Sequence, residues 1–114
     1  MTQIIDSLET REEFKEFLHQ NKDKVVIVKA SATWCGPCKR IEKDFMTMYK
    51  TICPNAILVL LDIDDADDIA THLKIRKIPT MLNFVNERPM DALQSSNLDE
   101  VKMFFQKTAA HLNF

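Results

Sequence analysis

Two strongly apolar segments separated by a helical pattern constrain the fold of this chain more than any other feature. The segments "VVIVKA" (residues 25–30) and "AILVLLDI" (residues 56–63) are rich in β-branched residues, which is typical of strands covered on both faces. Between them, from Pro37 onward, apolar residues recur at the spacing of one helical face: Cys38, Ile41, Phe45, Met48, Tyr49 and Ile52. This order of strand, helix and strand predicts two parallel strands connected by a helix that packs on their sheet.

The remaining segments continue this alternation. Ile4 and Ile5 predict a short first strand, and Thr10 with Glu13 predicts a capping box that opens a helix. Asn97 with Glu100 predicts the start of the last helix. A short helix is expected in "DDIATHLK", from residue 67. The apolar residues expected to face the core are Phe14, Phe17 and Leu18 in the first helix, Ile69 and Leu73 in the short one, and Val101, Phe104, Phe105 and Leu112 in the last.

A hairpin is predicted between these last two helices. Its strands are "TMLNFV" from Thr80 and "PMDAL" from Pro89, and Pro89 places the second strand at the sheet edge because proline has no N–H to donate. The complete pattern predicts an α/β protein with a single central mixed sheet of about five strands, flanked by about four helices on both faces. With 114 residues, 46% of them hydrophobic, we expect one domain over residues 1–114.

Composition excludes several classes of function. A net charge of −2 with interspersed signs provides no basic field for nucleic acid. We find no secretory signal in the first residues and no run of roughly 20 apolar residues that would span a membrane, so we expect a cytoplasmic protein. We also expect a monomer. The single glycine excludes a glycine-rich phosphate loop.

The motif "WCGPC" places Cys35 and Cys38 where a predicted strand turns into a helix. Such a pair can be a redox couple, half of a zinc site or a structural disulfide. No second C-x-x-C or H-x-x-x-H completes a zinc site, so we expect no metal. A redox couple holds its electrons in the dithiol, so we also expect no bound cofactor. Three cysteines is an odd number for a structural disulfide framework. A redox couple fits best, because a helix N-terminus stabilises a thiolate and Cys38 follows one turn after Cys35.

The sequence resembles the thioredoxin family over the whole domain. The resemblance rests on "WCGPC" at residues 34–38, on "IPT" at residues 78–80 before the hairpin, and on the order of the elements. It implies the thioredoxin fold and a thiol–disulfide oxidoreductase that reduces protein disulfides. It also implies electron transport and cell redox homeostasis, with electrons supplied by a thioredoxin reductase that draws on NADPH or by a glutathione-based donor.

The resemblance assigns roles to individual residues. Cys35 would be the exposed nucleophile and Cys38 the buried resolving thiol. Substrate binding would involve six further residues: Trp34, Gly36, Pro37, Ile78, Pro79 and Thr80. Of these, Trp34 would form one wall of the groove, and Gly36 and Pro37 would shape the turn. Pro79 would follow a cis peptide bond, which lets the Ile78 backbone pair with an extended substrate.

The chain also departs from the family pattern. Lys29 stands where thioredoxins usually have a buried aspartate, and Leu60 replaces the lysine that accompanies it. If the ammonium group of Lys29 approaches the sulfurs, it would stabilise thiolates and make the protein a weaker reductant than ordinary thioredoxins. The alternative is that the aliphatic part of Lys29 packs in the strand while its ammonium group reaches water. Lys43 replaces a helix proline, which favours a straighter helix. Ser95 or a neighbour replaces a glycine beside the groove, where a side chain would narrow the groove or add a hydrogen bond.

The third cysteine and an acidic run are interpreted as features without a role in the chemistry. Cys53 is expected to be an inert thiol at a helix end, and the acidic run "DIDDADD" a solvated helix start. The remaining alternative to an enzyme is a thioredoxin-fold module that binds an extended peptide without turnover. The missing aspartate favours this module, and the retained "CGPC" argues against it.

Overall fold

The computed structural model describes residues 2–112. In chain order the elements are β1 (Gln3–Ile5), α1 (Arg11–Gln20), β2 (Val25–Ser31), α2 (Gly36–Ile52), β3 (Ile57–Asp62), α3 (Asp67–His72), β4 (Thr80–Val85), β5 (Arg88–Gln94) and α4 (Leu98–His111). This order matches the sequence prediction. The ends of the expected domain, residue 1 and residues 113–114, lie outside the described residues.

The strands form one five-stranded mixed sheet in the order β1-β3-β2-β4-β5. Strands β1, β3 and β2 are parallel, while β4 runs antiparallel to β2 and β5 antiparallel to β4. In the central strand β2, Lys29 lies opposite Leu60 of β3 and Met81 of β4. The carboxyl end of β2, where the cysteine motif follows, is therefore in the middle of the sheet.

Each face of the sheet carries its own hydrophobic core. Helices α2 and α4 cover one face through Ile41, Phe45, Tyr49, Val101, Phe104 and Phe105. Helices α1 and α3 cover the other face through Phe14, Leu18 and Ile69. Because successive strand residues point to opposite faces, Val25 and Ile27 enter the first core while Val26 and Val28 enter the second. The prediction of helices on both faces is confirmed.

The predicted helix starts are formed by side-chain caps. The Thr10 hydroxyl accepts a hydrogen bond from the backbone N–H of Glu13, and the Glu13 carboxylate accepts one from the N–H of Thr10. The Asn97 side chain accepts from the N–H of Glu100 at 3.0 Å. Each cap satisfies a backbone donor that has no partner inside its helix.

Helix α2 begins at Gly36, one residue before the predicted start. Pro37 therefore occupies the second helical position rather than the first, and Cys35 is the N-cap residue. The physical reason is that the sulfur of Cys35 accepts the N–H of Cys38, as a serine side chain does at an N-cap. Helix α2 is 17 residues long and continues without interruption through Lys43, the residue that replaces the family's helix proline.

The hairpin and the short helix differ slightly from expectation. Strand β5 starts at Arg88, and Pro89 pairs with Phe84 beside a shift in the strand register. The turn places Asn86 and Glu87 at φ values of 52° and 68°. Helix α3 ends at His72, so Leu73 is a half-buried cap residue rather than part of the helix. Within residues 2–112, no helix has the length and apolarity needed to cross a membrane.

Candidate active site

The cysteine pair lies at the start of α2, directly after the central strand. Cys35 and Cys38 form a disulfide, with their Cα atoms 5.3 Å apart. The turn that leads into the helix is closed by a hydrogen bond from the N–H of Cys35 to the carbonyl of Ala32 at 3.2 Å. The prediction that the two sulfurs meet is confirmed.

The sulfur of Cys35 is placed to carry negative charge when the disulfide is reduced. It accepts the backbone N–H of Cys38 at 3.2 Å and lies at the N-cap of a 17-residue helix. Unpaired N–H groups and the positive end of the helix dipole both favour an anion at this position. A thiolate is the reactive form of cysteine, so the helix start favours nucleophilic chemistry at Cys35.

The expectation that Cys35 is exposed is wrong for this oxidised state, whereas the expectation that Cys38 is buried is confirmed. Their exposed fractions are 4% and 3%. The disulfide packs into a small apolar cluster with Ala32, against which Ile63 and Ile78 also pack. These neighbours cover both sulfur-bearing residues almost equally.

Trp34 projects beside the disulfide and is held by an acidic residue. Its exposed fraction is 65%, unusually high for a tryptophan, and its indole Nε1 donates to Oδ2 of Asp64 at 2.9 Å. Asp64 is held in turn, because its N–H donates to Asp62 Oδ1 at 2.8 Å. An exposed ring fixed in orientation is suited to contact a partner.

The segment before β4 faces the disulfide from the other side. The Ile78–Pro79 peptide bond is cis, as the resemblance implied, and the carbonyl oxygen of Ile78 lies 4.0 Å from the sulfur of Cys35. Thr80 is buried and donates its hydroxyl to the carbonyl of Lys77, so its side chain supports this loop rather than facing outward.

A groove of about 450 Å³ runs between Trp34 and Ile78, and Ile63 and Ile75 add apolar surface to it. Gly36 is exposed, and an added Cβ there would meet only Arg40 Nη1 at 3.7 Å, within ordinary contact distance. Pro37 is half-buried beside it. The surface around the disulfide is therefore open to an extended chain.

Lys29 lies beneath the disulfide in a second cavity, of about 340 Å³, that Cys38, Glu42 and Asp62 also line. Only 4% of Lys29 is exposed, and its Nζ lies 4.9 Å from the centroid of the Phe45 ring. Burial lowers the pKa of Lys29, and the Glu42 carboxylate opposes this shift. The ammonium group is therefore held inside the fold rather than in bulk water.

The family model for thioredoxin matches residues 6–107 of the chain. The chain belongs to the thioredoxin family. A thioredoxin from Ophiophagus hannah is 32% identical over 95 residues, which cover 83% of this chain and 90% of that protein. Homo sapiens thioredoxin is 30% identical over 99 residues, which cover 87% of this chain and 93% of that protein. The structure of reduced Schistosoma mansoni thioredoxin pre-protein superposes with a TM-score of 0.81 at 28% identity, covering 93% of this chain and 98% of that one.

Family membership and the disulfide together make the chain a thioredoxin-like thiol–disulfide oxidoreductase. Thioredoxins act on protein disulfides and receive electrons from reductase partners. The thioredoxin fold predicted from the sequence is confirmed. Lys29 and Leu60, the two positions at which the chain departs from the thioredoxin pattern, lie opposite each other on the neighbouring strands β2 and β3.

Sequence reasoning did not find Asp64 as the partner of Trp34. Its only sign in the sequence is the acidic run from Asp62, a pattern that predicts a solvated helix start. Part of that run does open α3, where Asp68 accepts from the backbone and side chain of Arg11. Within the described residues, no group of three or more His, Cys, Asp or Glu side chains is arranged to hold a metal ion.

Two further residues considered in the sequence analysis, Cys53 and Ser95, take part in structural contacts rather than in the reaction of the disulfide. Cys53 is fully buried, its thiol donates to the carbonyl of Phe105 at 3.3 Å, and burial raises its pKa to about 11. At neutral pH this thiol is protonated and unreactive. Ser95 donates to Glu100 and accepts from the N–H of Asn97, so its side chain stabilises the start of α4 instead of narrowing the groove.

Proposed function

We propose that Cys35 is the nucleophile and Cys38 the resolving thiol in the reduction of protein disulfides. The observation that carries this assignment is the hydrogen bond from the N–H of Cys38 to the sulfur of Cys35 at the start of α2. It gives Cys35 an anion-stabilising partner at the helix N-terminus, while Cys38 lies one turn inside the helix.

The reaction takes place in two exchanges. The Cys35 thiolate attacks one sulfur of the substrate disulfide, forming a mixed disulfide and releasing the other substrate sulfur as a thiolate. Cys38 then loses its proton and attacks the sulfur of Cys35, which breaks the mixed disulfide and releases the second substrate thiolate. Two electrons have passed to the substrate, and the Cys35–Cys38 disulfide is restored.

Substrate binding is proposed along the groove beside the disulfide. Trp34 forms one wall, and the Ile78 backbone beside cis-Pro79 pairs with an extended substrate strand. Gly36 and Pro37 keep the turn over the disulfide open, and Thr80 holds the loop through its bond to Lys77. A strand bound this way places its cystine near Cys35, because the Ile78 carbonyl lies 4.0 Å from that sulfur.

Lys29 is proposed to stabilise thiolates in the reduced protein. Its buried ammonium and Cys38 line the same cavity, and a nearby positive charge favours a thiolate over a thiol. A stabilised reduced form makes the protein a weaker reductant than thioredoxins that carry an aspartate at this position.

Several broader expectations stay predictions. They are a cytoplasmic monomer with one domain, a role in electron transport and cell redox homeostasis, and recharging by a thioredoxin reductase that draws on NADPH or by a glutathione-based donor. No bound cofactor is required by the mechanism, because the electrons reside in the dithiol.

Trapping with Cys38→Ser tests the assignment of the two cysteines. This variant should accumulate mixed disulfides between Cys35 and protein substrates, because the resolving thiol is absent. The matched variant Cys35→Ser should accumulate few, since Cys38 lies inside the helix and lacks the N-cap position that favours a thiolate at Cys35. Equal adduct formation by both variants would show that the roles are wrong. Failure of the wild type to accelerate protein-disulfide reduction over dithiothreitol alone would favour a binding module without turnover.

A further inference from the structure

Two exposed cations, Arg76 and Lys77, lie on the segment that leads into the cis-proline loop. Together with Lys74 and Ile75 they make up residues 74–77, named here the basic segment. Arg76 and Lys77 line the groove of about 450 Å³ that contains Trp34, and they also line a second groove of about 430 Å³ on the β5 side. A chain lying in either groove contacts these two side chains.

The basic segment is close to the reacting sulfur. Lys77 directly precedes Ile78, whose carbonyl oxygen lies 4.0 Å from the sulfur of Cys35. The carbonyl of Lys77 accepts the hydroxyl of Thr80, which holds the backbone of the segment in place. The residues flanking the attacked cysteine of a bound substrate therefore pass within reach of these cations.

The charges of this segment are not neutralised within the described part of the chain. Lys74, Arg76 and Lys77 form no ion pair there, whereas the carboxylate of Asp68 is paired with Arg11. Asp64 keeps its negative charge, because the Trp34 indole that donates to it is neutral. Asp67 is the one carboxylate among the residues lining the first groove, and none lines the second. Cations therefore outnumber carboxylates among the residues that line the two grooves, although the whole chain has a net charge of −2.

We propose that the basic segment selects substrates, favouring protein disulfides whose attacked cysteine is flanked by aspartate or glutamate in an extended segment. This inference rests on the proposed attack by Cys35. Exposed opposite charges add little affinity to a formed complex, but they steer encounter and raise the association rate, and they reject like-charged partners. The preference should therefore appear in the second-order rate constant and weaken as salt screens the charges.

Three synthetic peptides with the same internal disulfide, flanked by aspartate, serine or lysine pairs, provide the test. The second-order rate constant of their reduction by the fully reduced protein is measured by stopped-flow fluorescence of Trp34. At about 20 mM ionic strength we expect the aspartate peptide to react about tenfold faster than the lysine peptide. At about 0.5 M salt the ratio should approach one.

Two variants assign the preference to the basic segment. The variant Arg76→Gln/Lys77→Gln should lose most of the preference, and Arg76→Glu/Lys77→Glu should reverse it. The matched control is Lys22→Gln/Lys24→Gln, which removes the same charge from the exposed turn before β2, at the opposite end of that strand. It should keep the wild-type ratio.

The outcomes separate this inference from the proposed function. A wild-type ratio near one at low salt, or an equal loss of preference in the control variant, would overturn the selection by the basic segment. If the wild type reduces none of the three peptides, including the serine peptide, the proposed function itself fails.

Discussion

Lys29 is the residue whose chemistry differs most from that of the family pattern. An aspartate at this position can accept a proton from a thiol, whereas an ammonium group acts by attracting a thiolate. The side chain is buried against Phe45 in the cavity that Cys38 and Glu42 also line. Because burial lowers the pKa of Lys29, the charged form is held in a site that partly disfavours it.

Replacing Lys29 by methionine keeps an unbranched stem and removes the charge. We expect Lys29→Met to raise the pH midpoint of thiolate formation in the Cys35 and Cys38 pair by about one unit, because the positive charge in the cavity that Cys38 lines is lost. The measurement is the pH dependence of the thiolate absorbance of the reduced protein. Lys43→Met, at an exposed position of α2, is the control and should leave the midpoint unchanged. An unchanged midpoint in Lys29→Met would remove the proposed role of Lys29.

Among the elements, the hairpin between β4 and β5 has a turn that lacks glycine. Asn86 and Glu87 both adopt positive φ, at 52° and 68°. This is the backbone conformation of a two-residue hairpin turn for which Asn-Gly is the preferred sequence. Asparagine tolerates it well, whereas the Cβ of Glu87 is costly there.

We expect Glu87→Gly to stabilise the oxidised protein by about 1 kcal/mol, because glycine adopts positive φ without a steric penalty. Urea unfolding of the wild type and the variant measures the change. The control is Glu87→Ala, which also removes the contact with His19 but retains a Cβ. If alanine stabilises the protein as much as glycine, the turn conformation is not the cause.

Helix α4 is joined to the edge of the sheet by a polar cluster. The buried Asn83 of β4 donates to Asp91 Oδ2 at 3.0 Å and to the Thr108 hydroxyl at 2.8 Å, and His111 Nε2 lies 2.9 Å from Asp91 Oδ2. Partial burial acts to raise the pKa of Asp91, but the bonds from Asn83 and His111 outweigh it and hold the pKa below its ordinary value of 3.8. Asp91 therefore stabilises the fold most in its charged form.

This cluster predicts an acid-sensitive contribution to stability. The contribution of Asp91 should be fully present above its unfolded pKa and lost as the pH falls through the lower, folded value. The wild type should melt at a higher temperature than Asp91→Asn near pH 6, and the difference should shrink between about pH 4 and pH 2. Thermal unfolding across that range measures it. A difference that stays constant down to pH 2 would contradict the lowered pKa.

At the scale of the whole molecule, the fold followed from patterns that depend on local sequence. The β-branched segments located β2 and β3, Thr10 and Asn97 located two helix starts, and the two motifs placed the cysteine pair opposite Ile78. Features that depend on contacts between side chains of distant segments could not be predicted from the sequence. The shielding of Cys35 by Ile63 and Ile78, the bond of Trp34 to Asp64 and the burial of the Lys29 head are set by packing that no local pattern describes.

The central claim is that the start of α2 makes Cys35 the reactive thiolate of the reduced protein. Alkylation of the fully reduced wild type with iodoacetamide, followed residue by residue with peptide mass spectrometry, tests it most directly. We predict that Cys35 reacts first, with a pH midpoint well below the value of about 8.5 for a free cysteine, and that Cys53 stays unmodified. A midpoint for Cys35 at or above about 8.5, or faster alkylation of Cys38, would contradict the account.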